Sequence, residues 1–407
     1  MPKVIPLLTL EARIKRQLRS HLRRLGFTRT RDGLLSPPGN SKESFRALHR
    51  LQRLDRLRTE RVFIKTVWNK LNQYFANGTE VEPAKIKPRL ELIEADTWQS
   101  KLFRLASLTW SVPVSQGYGR RMRFLIWDDS NGKLIGLLGL GDPVFNLRVR
   151  DELIGWSAKD RKERLVNVLD AYILGSLPPY NFLLGGKLIA SLIRTKEVRD
   201  AFSKRYATSR GIISKKRKHP SLVLVTTSSA LGRSSIYNRV NLGSIHYLEP
   251  IGYTSGWGHF HIPQRLFQLI RVYLKEHEHK YEDNNRFGDG PNWRLRALRH
   301  TLSELGLNPD LLRHNVTRQV FICELAKNAK KFLAGKVKHL RYNGLLSVTE
   351  VSSLAKSRWV QPRAERFTYY RNWKKDQILR LLVPSTRKIV LANLETATQK
   401  EERNVAR

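Results

Sequence analysis

Apolar residues return at helical spacing near the start of the chain. Leu10, Ile14, Leu18, Leu22 and Leu25 mark one face, Arg13, Arg16, Arg19, Arg23 and Arg24 fill the others, and Gly26 supplies a stop. After a Pro/Gly/Ser-rich break at Ser36 to Ser41, a second helical stretch is predicted from about Lys42 to Phe75, ended by Asn77-Gly78. The period then changes. Met122 to Trp127 reads as a strand, Asp128 to Gly132 as a hairpin turn, and Lys133 to Leu140 as the return strand. Leu165 to Leu174 and Leu222 to Thr227 predict further strands, with helices between them over Leu184 to Arg194 and Lys196 to Tyr206. Beyond Gln264 the helical period resumes over Leu266 to Tyr281, Trp293 to Leu305 and Val320 to Phe332.

These elements predict an α/β (α+β) protein. A basic helical N-terminal region is expected over 1–82, a mixed-sheet core over 83–263, a mostly helical C-terminal region over 264–395 and a flexible tail over 396–407. No internal repeat is visible.

Charge changes the picture most. The 407 residues carry 75 Lys plus Arg against 35 Asp plus Glu, a formal net charge of +40, on a chain that is 41% hydrophobic with nine tryptophans. Such a chain builds a packed core while its charge opposes compaction, so a polyanionic partner is expected. Contacts to phosphate release condensed counterions and drive sequence-independent binding, which points to nucleic acid, DNA before RNA. Arginine outnumbers lysine and makes the bidentate phosphate contacts that lysine cannot. Cys323 is the single cysteine, which excludes disulfides within the chain and multi-thiolate zinc sites. No stretch approaches the roughly 20 apolar residues of a membrane span, and the short run Val4 to Leu10 is no signal peptide. A cytoplasmic location is expected.

Standard catalytic motifs are few. There is no Walker A loop, and His277 and His279 lie two apart rather than at the i, i+4 spacing of a helical zinc site, so neither metal nor cofactor is expected. Gly117-Tyr118-Gly119-Arg120-Arg121 and Gly232-Arg233-Ser234-Ser235 each place mobile backbone and hydroxyl or guanidinium groups where an anion can sit; a plain helix cap explains the two serines equally well. Asp142, Asp151 and Glu163 lie near strand ends, where a nuclease or transposase gathers carboxylates for magnesium, although Asp151 beside Arg150 suits a structural ion pair. Tyr237, followed by Asn238 and Arg239, has the makings of a nucleophile, against the commoner packing role of tyrosine. His259 and His261 alternate; on a strand both would face one way, lining a pocket with Tyr253, Trp257 and Phe260. The mixture from Trp359 to Lys375 offers rings for base stacking or for docking into the core.

Several long blocks resemble the Druantia anti-phage system protein DruA family. They include Leu108-Thr109-Trp110-Ser111-Val112-Pro113-Val114-Ser115, Gly117-Tyr118-Gly119-Arg120-Arg121-Met122-Arg123-Phe124 and Gly141-Asp142-Pro143-Val144-Phe145. Arg150-Asp151 with Ile154-Gly155-Trp156, Thr226 to Arg239, Gly256-Trp257-Gly258-His259-Phe260-His261 and Phe287 to Trp293 continue the match in order, over about Leu92 to Ala334. The resemblance implies bacterial defence against phage and kinship with domains that accompany transposase-like proteins. It names no reaction. Arg120, Arg121, Arg123, Arg150, Arg233 and Arg239 lie inside the matched blocks and are the expected nucleic-acid contacts.

A second resemblance concerns fold. A strand, then Gly185-Gly186-Lys187-Leu188, then Tyr237 looks like the acyl-CoA motif and late tyrosine of GNAT acyltransferases, in which a glycine-rich turn opening a helix binds pyrophosphate. Leu183 and Leu188 depart from that pattern, which implies a GNAT-like core adapted to nucleic acid rather than a working transferase. The expected function is a DNA-binding component of the defence system, working beside other proteins such as a helicase. The alternative is a DNA-processing enzyme: nuclease- or transposase-related, or a degenerate acyltransferase. Asp142, Asp151, Tyr237 and His259 are then the candidate catalytic residues.

Overall fold

The computed structural model describes residues 8–114, 119–208, 219–279 and 293–383. Helix α1 (Leu10–Arg24) starts at Thr9, whose hydroxyl accepts from the Ala12 amide, and turns Ile14, Leu18 and Leu22 inward. Strands β1 (Thr28–Arg29) and β2 (Leu35–Ser36) form a small hairpin before α2 (Lys42–Thr59) and α3 (Arg61–Leu71). The single helix expected over 42–75 is broken at Glu60, a buried carboxylate paired with Arg56 and with Arg104. The break is where the chain changes cores: Phe45 and Leu48 pack with α1, whereas Ile64, Val67 and Trp68 pack against the sheet.

The sheet has seven strands. In chain order come β3 (Pro88–Leu92), helix α4 (Trp98–Ser107), β4 (Arg121–Asp128), β5 (Lys133–Gly141), α5 (Arg148–Ile154), α6 (Ala158–Arg164) and β6 (Val168–Ser176). Then follow α7 (Gly185–Leu192), α8 (Lys196–Tyr206), β7 (Leu224–Ser228), the small hairpin of β8 (Asn241–Leu242) and β9 (Ile245–His246), and β10 (Glu249–Tyr253). Helices α9 (Gln264–Glu276) and α10 (Trp293–Glu304) precede the last strand, β11 (Gln319–Glu324). The order across the sheet is β10-β11-β7-β6-β5-β4-β3. Every neighbouring pair is antiparallel except β6 and β7. That parallel pair is short: Val168, Leu169 and Asp170 face Leu224, Val225 and Thr226, after which β6 runs on beside β5 alone.

The β4–β5 turn matches its sequence chemistry. Asp128 accepts from the amides of Lys87 (2.9 Å) and Ser130 (3.1 Å), and Gly132 takes a left-handed φ of 70°. Helix α8 also falls where its pattern put it. β11 does not: a helix was expected over 320–332, and the structure has a strand followed by the short α11 (Ala329–Leu333). Val320, Phe321, Ile322 and Cys323 are all buried between β7 and β10. A strand covered on both faces shows no alternation, so its apolar run reads equally well as a helix.

One sheet face packs against α7 and α12 (Val348–Ala355), the other against α3, α4 and α13 (Gln377–Leu382). A separate apolar cluster joins α1 and α2 to α9 and α10, so helices from the two ends of the chain share one core. Near the C-terminus, Trp359, Tyr370 and Trp373 are buried and serve packing. Among the described residues no helix is long and apolar enough to cross a membrane.

Candidate nucleic-acid interface

Four of the six arginines singled out above gather near one end of the sheet. Arg120 sits just before β4 and Asp142 just after β5, so strand pairing brings them together. Arg120 Nε donates to Asp142 Oδ1 at 2.8 Å, and its Nη1 donates to the Val166 carbonyl at 2.7 Å. Arg150 is fully buried on α5, paired with Asp151 at 2.6 Å and donating to the carbonyls of Val144 and Phe145. Asp151 also receives Arg161 at 3.2 Å. These charges close on one another within the protein. Glu163 is exposed on α6, apart from any such pairing.

Arg121 and Arg123 point across the sheet and are half-buried. The Arg121 guanidinium lies over Gly141, where any side chain would collide with it, and 4.4 Å from the centre of the Tyr172 ring. Arg123 lies 5.9 Å from the Phe103 ring. In the same row of the sheet stands Asp170, opposite Gly141 on one side and Thr226 on the other. Its carboxylate accepts from the Thr226 hydroxyl at 2.7 Å. Burial pushes its pKa up to about 6, against the opposing pull of that hydrogen bond, Arg150 and Arg121. Tyr172 Oη and Arg121 Nε are buried beside it without partners. Asp170 was not among the expected residues. The signal was an acid inside the apolar run Val168 to Leu174.

Arg233 and Arg239 lie elsewhere, after β7, and both are exposed. Arg239 and Arg358 act on Lys187 in the first turn of α7; burial, then these two cations, hold the Lys187 ammonium below its ordinary pKa. Ser235 accepts from Lys42 Nζ at 3.0 Å, and Ser234 Oγ accepts from the Tyr237 amide at 2.9 Å. The Tyr237 hydroxyl donates to the Leu174 carbonyl at 3.1 Å on β6, beyond the point where β7 stops pairing, and its ring packs edge-on against Phe321. Burial raises its pKa, so the hydroxyl stays protonated.

His259 and His261 are in bends and a turn, not on the strand their alternation suggested. The turn belongs to a seam where His261 Nε2 meets the Leu311 carbonyl at 2.8 Å and lies 5.5 Å, ring to ring, from His314. Burial pulls His259 and His261 down to about 4 and His314 to about 3, leaving the imidazoles neutral. Trp257 and Tyr253, expected to line a pocket beside them, are exposed. Among the described residues no three His, Cys, Asp or Glu side chains group closely enough to hold a metal ion. Ser115, Gly117, Tyr118 and the block 287–292 lie outside the described residues.

Helix α1 presents an open positive surface. Its outer side carries Arg13, Lys15, Arg16, Arg19, Arg23 and Arg24 against the single acid Glu11. The five arginines are exposed and, among the described residues, none forms a salt bridge.

Fold and surface together define a strongly basic, mixed α/β protein with an arginine-faced helix displayed beside a seven-stranded sheet. The family described as Druantia protein DruA matches residues 39–335. A Druantia protein DruA from Escherichia coli (strain UMEA 4076-1) is 52% identical over 364 residues, covering 89% of this chain and 90% of that protein. The chain therefore belongs to the Druantia protein DruA family and is a component of that antiviral defence system. No solved structure matches it.

Proposed function

We propose that this protein binds DNA through its phosphate backbone on behalf of the defence system, with α1 as its main gripping surface. The observation that carries the reading is the row of arginines on α1, exposed and without a salt bridge to any described carboxylate. Arginines that serve a fold are paired, as Arg120 and Arg150 are; unpaired ones on a chain of +40 are satisfied by an external polyanion. Arg233 and Arg239 offer exposed guanidinium groups to the same ligand, and Arg121 and Arg123 reach it only in part. Other proteins of the system, such as a helicase, are the expected partners. The GNAT-like reading of the core is supported by β6 leading through a short turn to α7, which opens at Gly185-Gly186. Tyr237, bonded to a β6 carbonyl, supports a core that does no acyl transfer.

Replacing Arg16, Arg19 and Arg23 together by alanine tests this. Each side chain is exposed, so the fold is kept. Retention of labelled DNA on filters is expected to weaken, and the slope of log K against log salt to flatten by about 2 to 3, at about 0.9 per lost phosphate contact. Unchanged retention removes α1 from the interface.

Asp170 favours a second reading, a DNA-processing enzyme, because a half-buried carboxyl with a pKa near 6 suits proton transfer. Incubating labelled single- and double-stranded DNA with the protein, with and without magnesium, separates the two. Cleavage or modification lost in Asp170→Asn supports the enzyme; intact substrate supports binding alone.

A further inference from the structure

Of the nine tryptophans two are exposed, Trp98 at 42% and Trp257 at 40%. Trp98 has a partner, stacked at 4.8 Å on Tyr74. Trp257 has no ring partner among the described residues. Its neighbours are cations: the Arg299 guanidinium lies 5.6 Å from the indole centre, and Arg313 faces Trp257 across an isolated antiparallel bridge. Side chains opposed in such a bridge stand side by side on one face. Both arginines are exposed and neither forms a salt bridge.

The mount is rigid. The Gly258 amide donates to the Leu312 carbonyl at 3.0 Å, and the Asn315 amide donates to the Gly256 carbonyl at 3.2 Å, one on each side of the tryptophan. Gly256 has a φ of 70°, and a side chain there would come within 2.8 Å of the Asn315 backbone, so glycine is required for the close approach. Beneath lies the buried His314, packed edge-on against Phe260 at 4.7 Å. A large indole is thus held out to water with one guanidinium over its ring and a second beside it, neither in a salt bridge with a described residue.

Resting on the nucleic-acid reading above, we infer that Trp257 is a stacking platform for an unpaired base, with Arg299 and Arg313 taking the flanking phosphates, so that the ligand at this point is single-stranded. Bases within a duplex already have both faces stacked, so a lone displayed indole adds nothing to duplex binding. An unpaired base gains a π surface, and the adjoining guanidinium groups supply the charge that a strand needs. The same chemistry tolerates any base.

The experiment is fluorescence anisotropy with a labelled oligothymidylate and a labelled blunt duplex against the full-length protein, Trp257→Ala and Trp257→Phe. The alanine variant is expected to bind the single strand about tenfold more weakly, and the duplex as the wild type does. The phenylalanine variant is expected to recover most of the loss, because a ring is restored. Equal single-strand binding by Trp257→Ala, or equal loss on both ligands, overturns the inference and leaves the backbone reading standing. A wild-type protein that binds neither ligand overturns both.

Discussion

Asp170 shows how one residue carries an energetic signature that can be measured. Its carboxyl has a pKa of about 6 in the fold against an ordinary 3.8, because burial penalises the charged form more than Thr226 and the nearby arginines relieve it. The folded state therefore holds the proton more tightly than the unfolded chain. Its contribution is present at low pH and is lost as pH rises through 6. Asp170→Asn keeps an acceptor for Thr226 and removes the charge. It should raise the thermal midpoint at pH 8 and lose that advantage at pH 4; a variant equally destabilised at both values would show that the carboxylate itself is needed. Tyr237 makes the complementary case. Tyr237→Phe leaves the Leu174 carbonyl without its donor, at a cost of about 1 kcal/mol, measured by urea unfolding. DNA retention should be unaltered; a loss of retention without a loss of stability would place the hydroxyl at the ligand. Neither environment was legible beforehand. An acid within a strand run and a tyrosine before an arginine are visible in the sequence, but their neighbours come from strands and turns far apart along the chain.

At the scale of elements, legibility followed periodicity. Helices α1, α8 and α10 were readable because one face of each is apolar, and the β4–β5 hairpin because its turn chemistry at Asp128 to Gly132 is explicit, although both strands are buried on both faces. β11 was not, since burial on both faces erases the alternation that marks a strand. The break at Glu60 was hidden as well: both halves have helical spacing, and only the buried pairs with Arg56 and Arg104 show why the helix turns there. The seam between α2 and the loops before α9 and β11 has its own test. His49, His259, His261 and His314 are held neutral there, at about 4, 4, 4 and 3 against an ordinary 6.5. Their folded pKa values are depressed, so the unfolded chain takes up protons first as pH falls below 6.5, and stability drains away toward pH 4. The urea midpoint should be clearly lower at pH 5 than at pH 7. Equal midpoints would mean that these imidazoles are not held neutral by burial.

For the whole molecule, charge was the feature read most directly from sequence, and its distribution was legible in part: the arginine face of α1 was visible in the helical period, while the pairing of the arginines in the matched blocks was not. Arginines in the family-like blocks were expected at the ligand. Arg150 is buried, and Arg120 is largely taken up by Asp142 and the carbonyls of Val166 and Val168 at the entry to β6. Arg233 and Arg239 are exposed within the matched residues 39–335, and α1 adds an open positive surface outside them. Folding sorts cations into those that satisfy the protein and those left over, and only the second group is available to phosphate. The most direct test is the equilibrium affinity of the full-length protein for labelled DNA across a series of salt concentrations. A steep linear fall of log K with log salt, corresponding to several phosphate contacts at about 0.9 each, is predicted. No binding even in dilute buffer, or an affinity indifferent to salt, would contradict the account.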